Sequence, residues 1–184
     1  MGPRSRKFVL TAHVVSSVGW LGAVAVFLAL AIAGLTEQDA QVVRSVYLAM
    51  DAIGWYALVP LSLASLVTGL VQSLAGKWGL FRHYWVVIKL AINVVATIVL
   101  LLYMETLSNL AGVAREAGAS GGVGGLSSPS PVLHSAAALL LLLVATTLSV
   151  YKPRGVTRYG QRKQHERRPP RTPRGVTPRA PPRG

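Results

Sequence analysis

Four long apolar blocks, separated by short charged segments, constrain this chain more than any other feature. They lie at roughly 8–35, 48–75, 84–107 and 132–151 of the 184 residues. A helix needs ~20 apolar residues to cross the ~30 Å hydrocarbon core of a bilayer. A membrane-spanning barrel would instead show alternating segments of ~10 residues. The sequence therefore predicts an all-α polytopic membrane protein with four transmembrane helices in an up-down bundle.

The four predicted helices make up one domain, residues 1–151, followed by a tail at 152–184. The tail is rich in Arg and Pro and holds 11 of the 19 basic residues that give the chain its formal charge of +13. Such a composition cannot build a core, so we predict a disordered tail. We expect it to contact anionic lipids, where each basic residue near the surface contributes ~1 kcal/mol. Nucleic acid is not expected, because few aromatic side chains offer a stacking platform.

The distribution of charge predicts the orientation of the helices. The residues before the first block include three basic and no acidic side chains, and the second connection carries Lys77 and Arg82. The first connection, 36–44, has two acidic residues and one Arg, and the third, 105–131, has two Glu and one Arg. Basic residues are enriched in cytoplasmic segments, so both termini are expected in the cytoplasm. The third connection is also rich in Gly and Ser, which predicts a flexible external loop.

Few residues in the apolar blocks can carry chemistry. Cysteine is absent, which excludes disulfides, thiolate catalysis and Cys-ligated metal centres. Lys89 lies inside the third block, and an ionisable group in a membrane span indicates a functional site. His13 lies five residues into the first block and, at 1.5 Å per residue, at nearly the depth of Lys89. Asp51, Glu105 and His134 are expected near the outer face, and His134 is too far from His13 to share a metal ion with it.

Helical spacing adds neighbours to His13 and Lys89. Trp20 follows His13 by seven residues on one helix face, and Trp85 and Asn93 flank Lys89 at intervals of four. Neutral imidazole is a good iron ligand, and a cation at the same depth suits an anionic group such as a haem propionate. We therefore predict a cofactor-binding site formed by these five residues, with His13 as metal ligand and haem b as the candidate cofactor. The second block adds a polar stripe that is expected to pack against a neighbouring helix: Ser62, Ser65, Thr68, Gly69 and Gln72.

Simpler interpretations of these residues stay open. The Lys89 side chain leans toward the start of its helix and is able to reach the headgroups by snorkelling. His13 is equally compatible with a structural hydrogen bond to a facing helix. His134 fits an interfacial histidine, and His83, in the second connection, fits either a solvated residue or a second axial ligand.

Two motifs carry a resemblance to known membrane proteins. The first is His13-Val-Val-Ser-Ser-Val-Gly-Trp20-Leu-Gly22 and the second is Trp85-Val-Val-Ile-Lys89-Leu90. Together they resemble an uncharacterised family of small bacterial four-helix membrane proteins. The chain is more distantly similar to the copper-resistance D membrane domain and to the haem-carrying membrane protoporphyrinogen oxidase. In the oxidase family a first-helix His and a third-helix Lys are the functional residues, which correspond to His13 and Lys89.

The resemblance implies a bacterial plasma membrane protein and leaves three functions open. The first is binding of haem, another tetrapyrrole or a metal, without a defined physiological role. The second is a tetrapyrrole oxidase, although this chain has Tyr103-Met104 where the oxidase family has Tyr-His. The third is a structural membrane protein whose basic tail docks partners. A homo-oligomer is compatible with all three.

Overall fold

A computed structural model describes residues 2–75, 84–120 and 128–151 of the chain. The second connection with His83, the Gly-rich residues 121–127 and the basic tail at 152–184 lie outside the described residues. The expectations for these segments therefore stay predictions.

The four apolar blocks form four helical spans that are long and apolar enough to cross a membrane, which confirms the all-α bundle. The first span is helix α1, Pro3–Thr36. The second combines α2, Ala40–Ile53, a π-helical turn at Gly54–Leu58 and α3, Val59–Ala75. The third is α4, Tyr84–Ser120, and the fourth is α5, Ser130–Tyr151.

The second span begins eight residues before its predicted start at 48. Asp39 explains this, because its carboxylate accepts hydrogen bonds from the backbone N–H groups of Gln41 and Val42 and caps the first turn of α2. Glu37 accepts from the N–H groups of Gln38 and Asp39, so a three-residue connection suffices between α1 and α2.

The third span also differs from its prediction, which ended it at 107 and began a flexible loop near Glu105. Helix α4 instead continues to Ser120. Leu107, Ala111 and Ala114 recur at helical spacing and are fully buried, the last of them against Val43 and Tyr47 of α2. Tertiary packing thus overrides the low helix propensity of a segment with two Gly residues.

The π-helical turn lies directly before Pro60 in the second span. Within it the N–H of Val59 bonds the carbonyl of Gly54, five residues earlier. Proline has no N–H to donate and its ring crowds the preceding turn, so a wider turn at this point relieves the crowding. The turn keeps α2 and α3 in one continuous span.

Neighbouring spans run antiparallel. His13 of α1 faces residues 65–69 of α3, and Gly34 at the other end of α1 faces Val46 of α2. We call the end of the bundle where α1 begins and α5 ends the proximal end, and the end where α1 meets α2 the distal end. The main core lies between the centre of the bundle and its distal end, and its largest side chains include Trp20, Phe27, Met50, Met104 and Leu107.

Candidate functional site

At the proximal end, His13 lies half-buried on the face of α1 that packs against α3. Its Nδ1 atom is 3.1 Å from the backbone carbonyl of Ser65 and 3.1 Å from the hydroxyl of Thr68. That hydroxyl donates its own hydrogen to the carbonyl of Ala64 at 2.5 Å. Both neighbours therefore present acceptors, so Nδ1 carries the proton and donates it. In the neutral imidazole this leaves Nε2 unprotonated.

The imidazole lies directly on the backbone of α3. A Cβ atom placed on Gly69 would be 3.0 Å from His13 Cε1 and 3.4 Å from its Nδ1, which is closer than most such contacts. A side chain at this position would push against the ring, so glycine allows the close approach. The ring plane is thus set by a close steric contact as well as by hydrogen bonds.

The polar stripe of α3 makes further contacts with α1 on either side of His13. Ser17 and Ser65 share a hydrogen bond of 2.8 Å between their hydroxyls. The Gln72 amide donates to the carbonyl of Val9 at 3.1 Å. These bonds confirm the expectation that the stripe packs against a neighbouring helix.

Lys89 extends from α4 toward α5 and is half-buried. Its ammonium donates a hydrogen bond to the hydroxyl of Ser149 and lies 5.9 Å from the centroid of the Trp85 ring, within range of a cation–π interaction. Lys89 also interacts electrostatically with His13. The structure therefore brings His13, Lys89 and Trp85 into the same layer of the bundle, near the proximal end.

The other two predicted site residues take different positions. Trp20 is 2% exposed and belongs to the main core. It lines a cavity described below. Asn93 lies half-buried on α4, one turn beyond Lys89. The five predicted residues thus divide between the proximal layer and the core.

The distal ionisable residues do not gather into one site. Asp51 accepts hydrogen bonds from the Ser108 hydroxyl at 2.9 Å and from the Arg115 guanidinium at 3.1 Å. Trp55 of the π-helical turn donates to the same Ser108 hydroxyl at 3.2 Å. Glu105 is exposed on α4. This network ties the extended part of α4 to the second span.

Tyr103 and His134 form a pair that sequence reasoning missed. Their rings stack with centroids 4.2 Å apart and 19° between planes. His134 is anchored by donating from Nδ1 to the carbonyl of Ser130 at 2.9 Å. Tyr103 is only 9% exposed. Neither residue alone signals the pair, because the stack depends on the register between α4 and α5.

The cavity lies between α1, α4 and α5, in the distal half of the bundle, and has a volume of about 120 Å³. Trp20 and Phe27 line it from α1, Tyr103 and Met104 from α4, and Ala138 from α5. His13 and Lys89 are not among its lining residues. The structure therefore contains two distinct candidate sites, a polar proximal layer and an apolar distal cavity.

Comparison of the chain with protein-family models, curated proteins and solved structures gives no match. Function must therefore be argued from these two sites.

Proposed function

We propose that this chain is an integral membrane protein that binds a haem-type tetrapyrrole through Nε2 of His13. The hydrogen bond from His13 Nδ1 to the Ser65 carbonyl, 3.1 Å long, carries the proposal. Histidines that ligate metals almost always donate their other ring N–H to a carbonyl, carboxylate or water, which fixes the tautomer and the ring orientation. His13 meets this requirement before any ligand is bound.

The donor set favours a macrocycle over a bare metal ion. Within residues 2–75, 84–120 and 128–151 there is no group of three His, Cys, Asp or Glu side chains that would hold a metal. Protein-bound zinc or calcium takes four or more ligands, most of them from side chains. Haem iron receives four ligands from its own ring and needs only an axial one from the protein. One histidine with a fixed tautomer is therefore sufficient for haem iron, but not for a protein-bound zinc or calcium ion.

Lys89 supports the same assignment. It supplies a cation in the layer of His13, on helix α4, which packs against α3. A tetrapyrrole with carboxylate side chains would be oriented by ligation to His13 and by pairing of a carboxylate with Lys89. Bound haem would supply redox or ligand-binding chemistry at its iron.

The proposal includes an orientation in the bacterial plasma membrane. Three basic residues precede the first apolar block and eleven lie in the tail, which supports a cytoplasmic location for both ends by the enrichment of basic residues in cytoplasmic segments. His13 and Lys89 would then lie in the inner leaflet, and anionic lipids would contact the tail.

The test is titration of the purified full chain with haem in detergent, followed by its Soret absorption. A saturable Soret shift is expected for the native chain and should disappear in His13→Ala. Ser17→Ala is the matched control, because it removes a neighbouring hydrogen bond to α3 and leaves His13 intact. His13→Gly should regain the shift when imidazole is added. Absence of a saturable shift in the native chain would overturn the proposal.

A second candidate role for His13 is to hold α1 against α3. The close contact with Gly69 and the hydrogen bonds to Ser65 and Thr68 favour it. In that case His13→Ala lowers the stability of the bundle, and the native chain shows no haem binding.

A further inference from the structure

The distal cavity contains a buried polar atom that lacks a partner. The phenolic oxygen of Tyr103 is buried, and no hydrogen bond to it is made by any residue in the described part of the chain. The side chain of Ser130 is close enough to interact electrostatically with Tyr103, but the geometry between them is not that of a hydrogen bond. A buried hydroxyl without a partner costs free energy, so the position calls for an explanation. Tyr103 lines the cavity, which places this unused donor at the wall of an empty space.

Two other polar groups of the cavity wall are already engaged. His134 donates from Nδ1 to the Ser130 carbonyl at 2.9 Å, and Ser135 donates to the Pro131 carbonyl at 2.6 Å. Apart from the indole N–H of Trp20, the remainder of the lining is apolar. Tyr103 therefore presents the buried hydroxyl donor that a ligand with a hydrogen-bond acceptor would meet here.

The size of the cavity limits what its ligand can be. A cavity of about 150 Å³ lined by apolar side chains accepts one benzene molecule. The present cavity, at about 120 Å³, is of the same order and suits one six-membered ring. A tetrapyrrole, with four linked rings, is too large, so the cavity is separate from the haem site proposed above.

The rim of the cavity borders the lipid. Val95 and Val99 of α4 and Leu141 of α5 line the cavity and are 52%, 45% and 38% exposed. In a membrane-spanning bundle, exposed apolar residues at this depth face acyl chains. A ligand held in the cavity can therefore extend an apolar tail between α4 and α5 into the bilayer without crossing water.

We propose that this cavity binds an isoprenoid quinone, with its ring beside Tyr103 and its tail leaving between α4 and α5. The ring carbonyl accepts the hydrogen bond that Tyr103 otherwise cannot make. The aromatic side chains of Trp20 and Phe27 on the opposite wall provide contacts for a planar ring. A phospholipid acyl chain would fill the space but leave the Tyr103 hydroxyl unsatisfied, so the buried hydroxyl favours the quinone.

The experiment uses the full chain in lipid nanodiscs and a benzoquinone that carries a decyl tail. Quinones quench tryptophan fluorescence, and Trp20 lies in the cavity wall. Saturable quenching is expected for the native chain, and most of its saturable part should vanish in Trp20→Phe. Quenching that rises linearly with quinone in every variant would show partitioning into lipid and overturn the proposal.

Two substitutions test the hydrogen bond. Tyr103→Phe keeps the ring and removes the hydroxyl, so quinone affinity should fall about three- to tenfold. Tyr47→Phe is the matched control, since Tyr47 is a buried tyrosine outside the cavity wall, and it should leave the affinity unchanged. Equal affinity of the native chain and Tyr103→Phe would overturn the proposal.

A second probe separates a quinone site from a general acyl site. Decylbenzene has a similar ring and tail but no carbonyl, so it should compete with the quinone weakly and be insensitive to Tyr103→Phe. If decylbenzene binds the cavity as strongly as the decyl quinone does, the cavity is a site for apolar chains and the quinone proposal is overturned. His13→Ala should retain quinone binding whether or not haem binds, so the two proposals fail independently.

Discussion

Helix α1 contacts the rest of the bundle in two different ways along its length. In the proximal half, His13 and Ser17 meet α3 through hydrogen bonds and a close approach to Gly69. In the distal half, Trp20 and Phe27 meet an apolar core with an unfilled cavity. The proximal half is thus closely packed and polar, whereas the distal half is apolar and loosely filled.

The difference shows which physical terms hold each half together. Lipid tails are as apolar as Leu, so helices in a bilayer associate through packing and interhelical hydrogen bonds instead of through a hydrophobic driving force. The proximal half is held together by both packing and interhelical hydrogen bonds. The distal half relies on packing around its cavity, and it leaves the Tyr103 hydroxyl without a partner among the described residues. Substitutions in the two halves should therefore have effects of different size and sign.

The largest expected effect is the loss of a fully buried side chain from the distal core. Leu107→Ala should lower the free energy of unfolding by about 2–3 kcal/mol, because Leu107 lines the cavity and its truncation enlarges a space that neighbouring helices cannot close. Leu102→Ala is the matched control, since Leu102 is 71% exposed and its loss should change stability little. Unfolding in mixed detergent micelles measures both. Equal effects would show that the distal core is not packed as described.

A pair of Ala→Leu substitutions tests the cavity itself. Ala96 lines the cavity, so Ala96→Leu should fill it and stabilise the empty protein by about 1 kcal/mol. Ala111 is fully buried on the same helix outside the cavity wall, so Ala111→Leu should cost about 1–3 kcal/mol through overpacking. The same unfolding measurement applies to both variants. If Ala96→Leu destabilised the protein, the result would argue against an unfilled space beside Ala96. Ala96→Leu should also lose quinone binding.

The spans were predictable from sequence, whereas their ends and their mutual register were not. Apolar length alone predicted four helices, because a bilayer requires about 20 apolar residues for each. The start of α2 was missed because Glu37, Asp39 and Arg44 are typical of a loop, although Asp39 caps the helix. The continuation of α4 was missed because Leu107, Ala111 and Ala114 lie in a segment whose Gly residues and charges mimic a connection.

In the candidate sites, too, features within one helix were predictable from sequence, whereas contacts between helices were not. The shared depth of His13 and Lys89 was predicted from their distance to the starts of the apolar blocks, and the α3 stripe was predicted from helical spacing. The Tyr103–His134 stack, the Asp51–Arg115 ion pair and the cavity depend on how α2, α4 and α5 meet side by side. Periodicity within one helix carries no information about that register.

The proximal half should respond to loss of its hydrogen bonds by a smaller amount. His13→Ala is expected to destabilise the ligand-free bundle by about 1–2 kcal/mol and Ser17→Ala by about 0.6 kcal/mol, in the range measured for interhelical hydrogen bonds in membranes. His13 has the larger effect because its ring also packs on Gly69. If both substitutions were neutral, α1 and α3 would be held together by packing alone, and the contrast between the two halves would disappear.

The smallest effect is expected at Tyr103, and its sign is the informative part. In most buried tyrosines, removing the hydroxyl loses a hydrogen bond and costs free energy. Tyr103 has a buried oxygen without a hydrogen bond among the described residues, so Tyr103→Phe should be neutral or stabilise the empty protein by less than about 1 kcal/mol. With the decyl quinone present, the native chain should be more stable than Tyr103→Phe, because the native chain then gains a hydrogen bond that the variant cannot form. Unfolding measured with and without quinone checks this reversal, and a Tyr103→Phe variant that is destabilised without ligand would show that the hydroxyl already has a partner.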